Sequence, residues 1–190
     1  MNKKNYLLDL NNSKKPFIIY KSDKGFDLYT DFSKKIILNN NNIEKFINKN
    51  NRLKLPYKET DLFIGFFGYE ILNNLIEVKI KKQKTINFPK GIFYKPETKI
   101  KLPNNLEYKK TRSLNSNDLF KININKKSYK VIFDKFKKKI KSGETYQIKI
   151  CTKYSNKSEI DALDFFSRLV KSNMAPEAFM IKDKNYSIIS

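Results

Sequence analysis

The chain has no histidine, one cysteine, three arginines among its 40 basic residues, and five glycines in 190 positions. With Cys151 alone and no histidine, neither a Cys/His metal site nor an internal disulfide can be built. Long apolar runs are missing too. The first 13 residues hold only a short apolar segment, below the core of a signal peptide. Leu62 to Tyr69, the longest apolar run, is too short to span a bilayer. No membrane partner is expected, and a cytoplasmic location is. The scarcity of arginine bears on the net charge of +21. A phosphate reader recruits the planar arginine fork, whereas this chain carries lysine, 23 asparagines and many isoleucines. An A/T-rich genome enriches those three residues by coding bias alone, so the lysines read as solvated faces. A basic nucleic-acid-binding domain is the alternative reading, supported by the charge and by 11 tyrosines. It requires lysines gathered on one face beside exposed aromatics, and here they are spread along the chain.

What is present is a globular composition, 39% hydrophobic and 14% aromatic, long enough for one or two domains. Residues 16–30 read as a hairpin turning at Ser22-Asp23-Lys24-Gly25. Ile43 to Asn50 has helical spacing, and Leu62 to Tyr69 reads as a central strand covered on both faces. Glu70 to Ile76 reads as a helical turn or short helix. Gly91–Tyr94 and Lys99–Leu102 read as two short strands, and residues 103–118 as a linker. Ser128 is the expected cap of a helix whose stripe is Tyr129, Ile132, Phe133, Phe136 and Ile140, closed by a left-handed Gly143. A strand with alternating apolar residues is expected from Tyr146 to Tyr154, with Cys151 as a small buried thiol. Ser158 and Asp161 form a capping-box pattern ahead of a second stripe of Ile160, Leu163, Phe166, Leu169 and Val170. Ala178–Ile181 and Tyr186–Ile189 read as a closing hairpin. The fold class is α+β, mainly antiparallel sheet with covering helices.

Three motifs lie in a telling order. Gly65-Phe-Phe-Gly68-Tyr69-Glu70 places two glycines in an apolar strand, which permits a bulge or close backbone approach. Gly143-Glu144-Thr145-Tyr146-Gln147 joins the basic helix to its strand. Asn173-Met-Ala-Pro176 is a turn ahead of a strand ending at Ser190. In this order the motifs resemble the large subunit, component I, of anthranilate synthase and aminodeoxychorismate synthase, which are chorismate-utilising enzymes. The matching signatures are Gly-x-x-Gly-Tyr-Asp/Glu, Gly-Asp/Glu-x-Tyr/Phe-Gln and Asn-x-x-Pro. On this resemblance, residues 1–118 are the family's N-terminal region and 119–190 the start of its chorismate-binding domain. The chain is then expected to be an N-terminal fragment and its fold an incomplete part of the component I-like fold.

The resemblance implies chorismate as substrate of the full-length enzyme, ammonia from a glutamine amidotransferase partner, and Mg²⁺ on the substrate carboxylates. The catalytic histidine, the Mg²⁺ ligands and the basic substrate pocket belong to later motifs, so these residues contribute no catalytic or metal-binding side chain and are expected to be inactive alone. Thr145-Tyr146-Gln147 and Ala175-Pro176-Glu177-Ala178-Phe179 lean toward the aminodeoxychorismate synthase, or folate, branch, with anthranilate synthase and tryptophan as the alternative. Ser22, Asn173 and Pro176 match positions lining an amino-acid pocket in members that bind tryptophan. Lys21 stands where those members have an acid, and would repel a ligand ammonium. A non-catalytic amino-acid-binding remnant is a further alternative. Gly65, Gly68, Tyr69, Gly143, Tyr146 and Gln147 are read as structural.

Overall fold

A computed structural model describes residues 3–50, 58–71, 88–106, 108, 120–156 and 160–190. In chain order its elements are helix α1 (Lys3–Asn12), strands β1 (Phe17–Ser22) and β2 (Gly25–Ile37), helix α2 (Ile43–Asn50) and strand β3 (Ile64–Phe67). A 3-10 turn (Tyr69–Ile71), strand β4 (Gly91–Leu102), strand β5 (Lys121–Ile122), helix α3 (Lys126–Lys141) and strand β6 (Tyr154–Ser155) follow. Helix α4 (Ala162–Asn173) and strands β7 (Ala178–Lys182) and β8 (Ser187–Ile189) complete the order. Two compact units emerge, residues 1–108 with 162–190, and residues 109–161. The first is discontinuous in sequence, because the last helix and hairpin join the N-terminal sheet.

The first unit is a six-stranded antiparallel sheet in the order β3-β4-β2-β1-β7-β8, and the fold is α+β. β1 alternates so that Phe17 and Ile19 face one side and Ile18 the other. Phe17 and Ile19 meet Leu7 and Leu10 of α1 and Leu163 and Phe166 of α4, all buried. Ile18 joins Tyr29, Ile92, Tyr94 and Ile181 on the opposite face. A third cluster sets Ile43 of α2 with Leu38, Ile71 and Phe93. The expected hairpins and the helix at Ile43–Asn50 form, and Leu163, Phe166, Leu169 and Val170 of the second stripe lie on α4, whereas Ile160 precedes the helix and is exposed.

Five further expectations are corrected. Leu62 to Tyr69 is not a central strand: β3 lies at the sheet edge and Phe67 is half exposed. Gly91–Tyr94 and Lys99–Leu102 are one strand running through Pro96. Proline has no N–H to give, and Pro96 sits where the β2–β4 register shifts between Phe32 and Lys34. Asp31, two residues before that shift, has φ +52°, a left-handed conformation that Asp tolerates better than most residues. The expected strand from Tyr146 is reduced to Tyr154–Ser155, and Cys151 is exposed rather than buried. The α3 cap is Asn125, whose Oδ1 accepts from the Ser128 N–H at 2.8 Å. Beyond Ile71, the expected helical turn to Ile76 lies outside the described residues, as do Ser158 and most of the 103–118 linker. Tyr108, within that linker, is buried and its hydroxyl accepts from Asn11 Nδ2 at 3.1 Å.

The β7–β8 turn is held to the sheet by Asp183, 8% exposed. Its carboxylate accepts from Lys35 Nζ of β2 at 2.5 Å, from the Tyr94 hydroxyl of β4, from Tyr186 at 3.2 Å and from the Lys184 N–H at 2.6 Å. Burial alone raises the Asp183 pKa, but the hydrogen bonds from Lys35, Tyr94 and Lys184 outweigh it and hold the carboxyl below its ordinary value. Burial, then the bond to Asp183, pushes Tyr94 well above the usual phenol range. Since the folded pKa is depressed, the stabilisation is complete above the ordinary carboxyl value of 3.8 and fades as pH falls through the lower folded value. Asp183→Asn should therefore cost about 2 kcal/mol in urea unfolding at pH 7. The gap to wild type should close as the pH is taken below 3.8; a gap independent of pH would refute the ionised state.

Candidate functional site

In the first unit the structure brings the end of β1 against the turn that follows α4. The register sets Lys21 opposite Ala178, so its side chain starts one residue from the turn. Lys21 Nζ donates to the Ala175 carbonyl at 2.5 Å and lies 3.5 Å from that of Pro176. Met174, exposed and with φ +45°, makes the left-handed step by which the chain leaves α4. Ser22 ends β1 opposite Gly25, and its Oγ accepts from the Lys24 N–H at 3.2 Å within the hairpin turn. Asn173 is the last residue of α4 and is exposed, as are Pro176 and Glu177. Burial, and next a hydrogen bond with Glu177, raises the pKa of the neighbouring Tyr20 hydroxyl. The lysine read from sequence as repelling a ligand ammonium is itself the ammonium on this turn.

The Gly65 motif is built for close packing of backbones. Gly65 pairs with Phe93 of β4, and a Cβ added to it would stand 1.9 Å from the Ile92 carbonyl oxygen and 2.7 Å from Phe93 Cα. Gly68 donates its N–H to the Lys90 carbonyl at 2.6 Å, and the following 3-10 turn leaves Tyr69 69% exposed. Beside it, Phe46, Phe63, Phe67 and Phe93 wall a cleft of about 460 Å³ with Lys49 and Lys95 among its lining. Sequence reasoning missed this cleft, because its walls come from α2, β3, β4 and residues 61–63, with no local signature.

Within the second unit α3 ends in a Schellman motif. The Gly143 N–H bonds to the Ile140 carbonyl, the Glu144 N–H to that of Lys139, and Gly143 has φ +76°. The Glu144 carboxylate pairs with Lys139 Nζ, which holds its pKa below the ordinary value. Tyr146 is 91% exposed and Gln147 is also exposed, with Thr145 Oγ1 donating to the Gln147 carbonyl at 3.1 Å. Tyr129 and Phe133 stack on the α3 stripe, and no described residue of this unit is buried.

Among the described residues no three His, Cys, Asp or Glu side chains come together as a metal site. The groups described do not fit Mg²⁺. No helix among them is long and apolar enough to cross a membrane.

The family described as chorismate binding enzyme matches residues 3–190, and the chain belongs to it. No curated protein matches the chain.

Gly65→Ala should cost about 3 kcal/mol, because the contacts it forces are with backbone that cannot rotate away. Denaturant unfolding against wild type measures this, and a loss under about 0.5 kcal/mol would show that β3 can shift off β4.

Proposed function

We propose that these residues are the N-terminal portion of an aminodeoxychorismate synthase component I-like enzyme. Such an enzyme aminates chorismate with ammonia supplied by a glutamine amidotransferase subunit or domain, feeding para-aminobenzoate and folate. The observation that carries the reading is the family match across residues 3–190. The branch rests on Thr145-Tyr146-Gln147 and on Ala175-Pro176-Glu177. Glutamate follows the proline where anthranilate synthases more often carry an aromatic residue.

The 190 residues alone are inactive in this proposal. General acid–base work on chorismate in this family uses a histidine, and the sequence has none. The Mg²⁺ that such a reaction uses to neutralise substrate carboxylates would be held by groups other than those described here. Control by an amino acid at Ser22, Asn173 and Pro176 is not part of the proposal, since Lys21 already occupies the turn carbonyls.

The complete gene from which these residues come should be expressed in two bacterial auxotrophs, one requiring para-aminobenzoate and one requiring anthranilate. Rescue of the first, with aminodeoxychorismate formed from chorismate, glutamine and Mg²⁺ in the extract, is the expected result. Rescue of the second alone would move the assignment to anthranilate synthase, and rescue of neither would refute amination. The purified 190-residue chain should consume no chorismate under the same conditions.

A further inference from the structure

The four phenylalanines of the cleft beside β3 set their rings at angles to one another. Phe46 meets Phe93 at 4.7 Å and Phe63 edge-on at 5.5 Å, and Phe67 meets Phe93 at 4.8 Å. Tilted rings leave faces and edges to a further ring, which prefers edge-to-face or offset contact over a flat stack. The cleft is not lined by apolar groups alone. Lys49 and Lys95 bring two positive charges to it against the one carboxylate of Asp61. Lys95 follows Phe93 by two residues on β4, so the period of a strand puts both on one face. Its Nζ lies 3.7 Å from Asp61 Oδ1, too far for a hydrogen bond. The other Asp61 oxygen accepts from the Lys58 N–H at 3.2 Å, which ties that carboxylate to its own turn. Among the described residues no carboxylate pairs with Lys49, in the last turn of α2.

We propose that this cleft binds a small aromatic carboxylate, with its ring among the phenylalanines and its charge on Lys95 and Lys49. A volume of about 460 Å³ is in the range of small-molecule sites, and so is an apolar lining with a few placed polar groups. Charge selects among flat ligands of one shape. A neutral aromatic would leave the Lys95 ammonium without the charge-assisted hydrogen bond that a carboxylate offers. An aromatic amine would bring a third positive charge to the two lysines. An inorganic anion would satisfy the charge and forgo the rings. Ser22, Asn173 and Pro176 take no part in the lining. The inference rests on the cleft and not on chorismate amination, so either can fail without the other.

The test follows meta-trifluoromethylbenzoate by fluorine NMR as the full 190-residue chain is added. Its resonance should broaden with a Kd of about 1 mM, as expected of so small a ligand in a preformed pocket. The neutral amide of the same acid, and the corresponding benzylammonium ion, should bind about tenfold more weakly, the equivalent of one charge-assisted hydrogen bond. Lys95→Met should weaken the benzoate by a similar factor, and Lys49→Met by about threefold, since Lys49 is exposed. Unlabelled benzoate should displace the probe, whereas cyclohexanecarboxylate, which keeps the anion without the aromatic ring, should compete poorly. Tyr129→Ala, in the other cluster of aromatics and lysines on α3, should leave binding unchanged. No broadening at about 20 mM probe would overturn the proposal, as would equal binding of the amide. Loss of binding in Tyr129→Ala with Lys95→Met unaffected would overturn it too. Should Lys95→Met unfold, Lys95→Gln is read in the same titration against the same outcomes.

Discussion

β1 carries the constraint on which the first unit depends. It is hydrogen-bonded on both edges, to β2 beside it in sequence and to β7 near the far end of the chain. Phe17, Ile18 and Ile19 are 0–1% exposed, which only a strand with neighbours on both edges and cover on both faces achieves. Burial of three such side chains stabilises by roughly 2 kcal/mol each, and the pairing with β7 must offset the entropy of closing most of the chain into a loop. Without residues 178–182, β1 would present an open edge, and the core under α1 would lose Ala178 and Met180. The discontinuous unit follows from this pairing. A linear division of the sequence does not see it.

Which parts were legible follows the same logic. The β1–β2 hairpin and the α4 stripe announce themselves locally, through a four-residue turn ending in glycine and through apolar residues at helical spacing. Position within the sheet has no such signal. The run from Leu62 to Tyr69 has the composition of a central strand, yet β3 is an edge whose apolar residues are only partly covered. Gly91–Tyr94 and Lys99–Leu102 join through Pro96, which a ladder tolerates where a register shift lies beside it, and that shift belongs to the partner strand. The alternation from Tyr146 onward needs a partner to become a strand. Within the described residues it finds one only at Tyr154–Ser155, opposite β5. At the candidate site the sequence named the turn and the odd residue, Lys21, while the direction of the lysine depended on the β1–β7 register.

The charge excess also takes on a different meaning in the folded chain. Lysines read as solvated by composition include three that fasten the C-terminal segment to the N-terminal region. Lys21 reaches the carbonyls of Ala175 and Pro176, and Lys35 the Asp183 carboxylate. Lys182 donates to the Asn11 carbonyl at 2.5 Å and to its Oδ1 at 2.7 Å, at the C-terminal end of α1 where a cation is favoured. Each contact spans about 150 residues or more of sequence. A single carbonyl oxygen asks for one N–H on a flexible stem and gains nothing from a planar fork, so lysine serves where arginine is scarce. Coding bias can fill the surface with lysine, but the sheet register selects which of them become ties. All three ties act between the elements that the β1–β7 pairing brings together, so the pairing and the lysines stabilise one and the same junction.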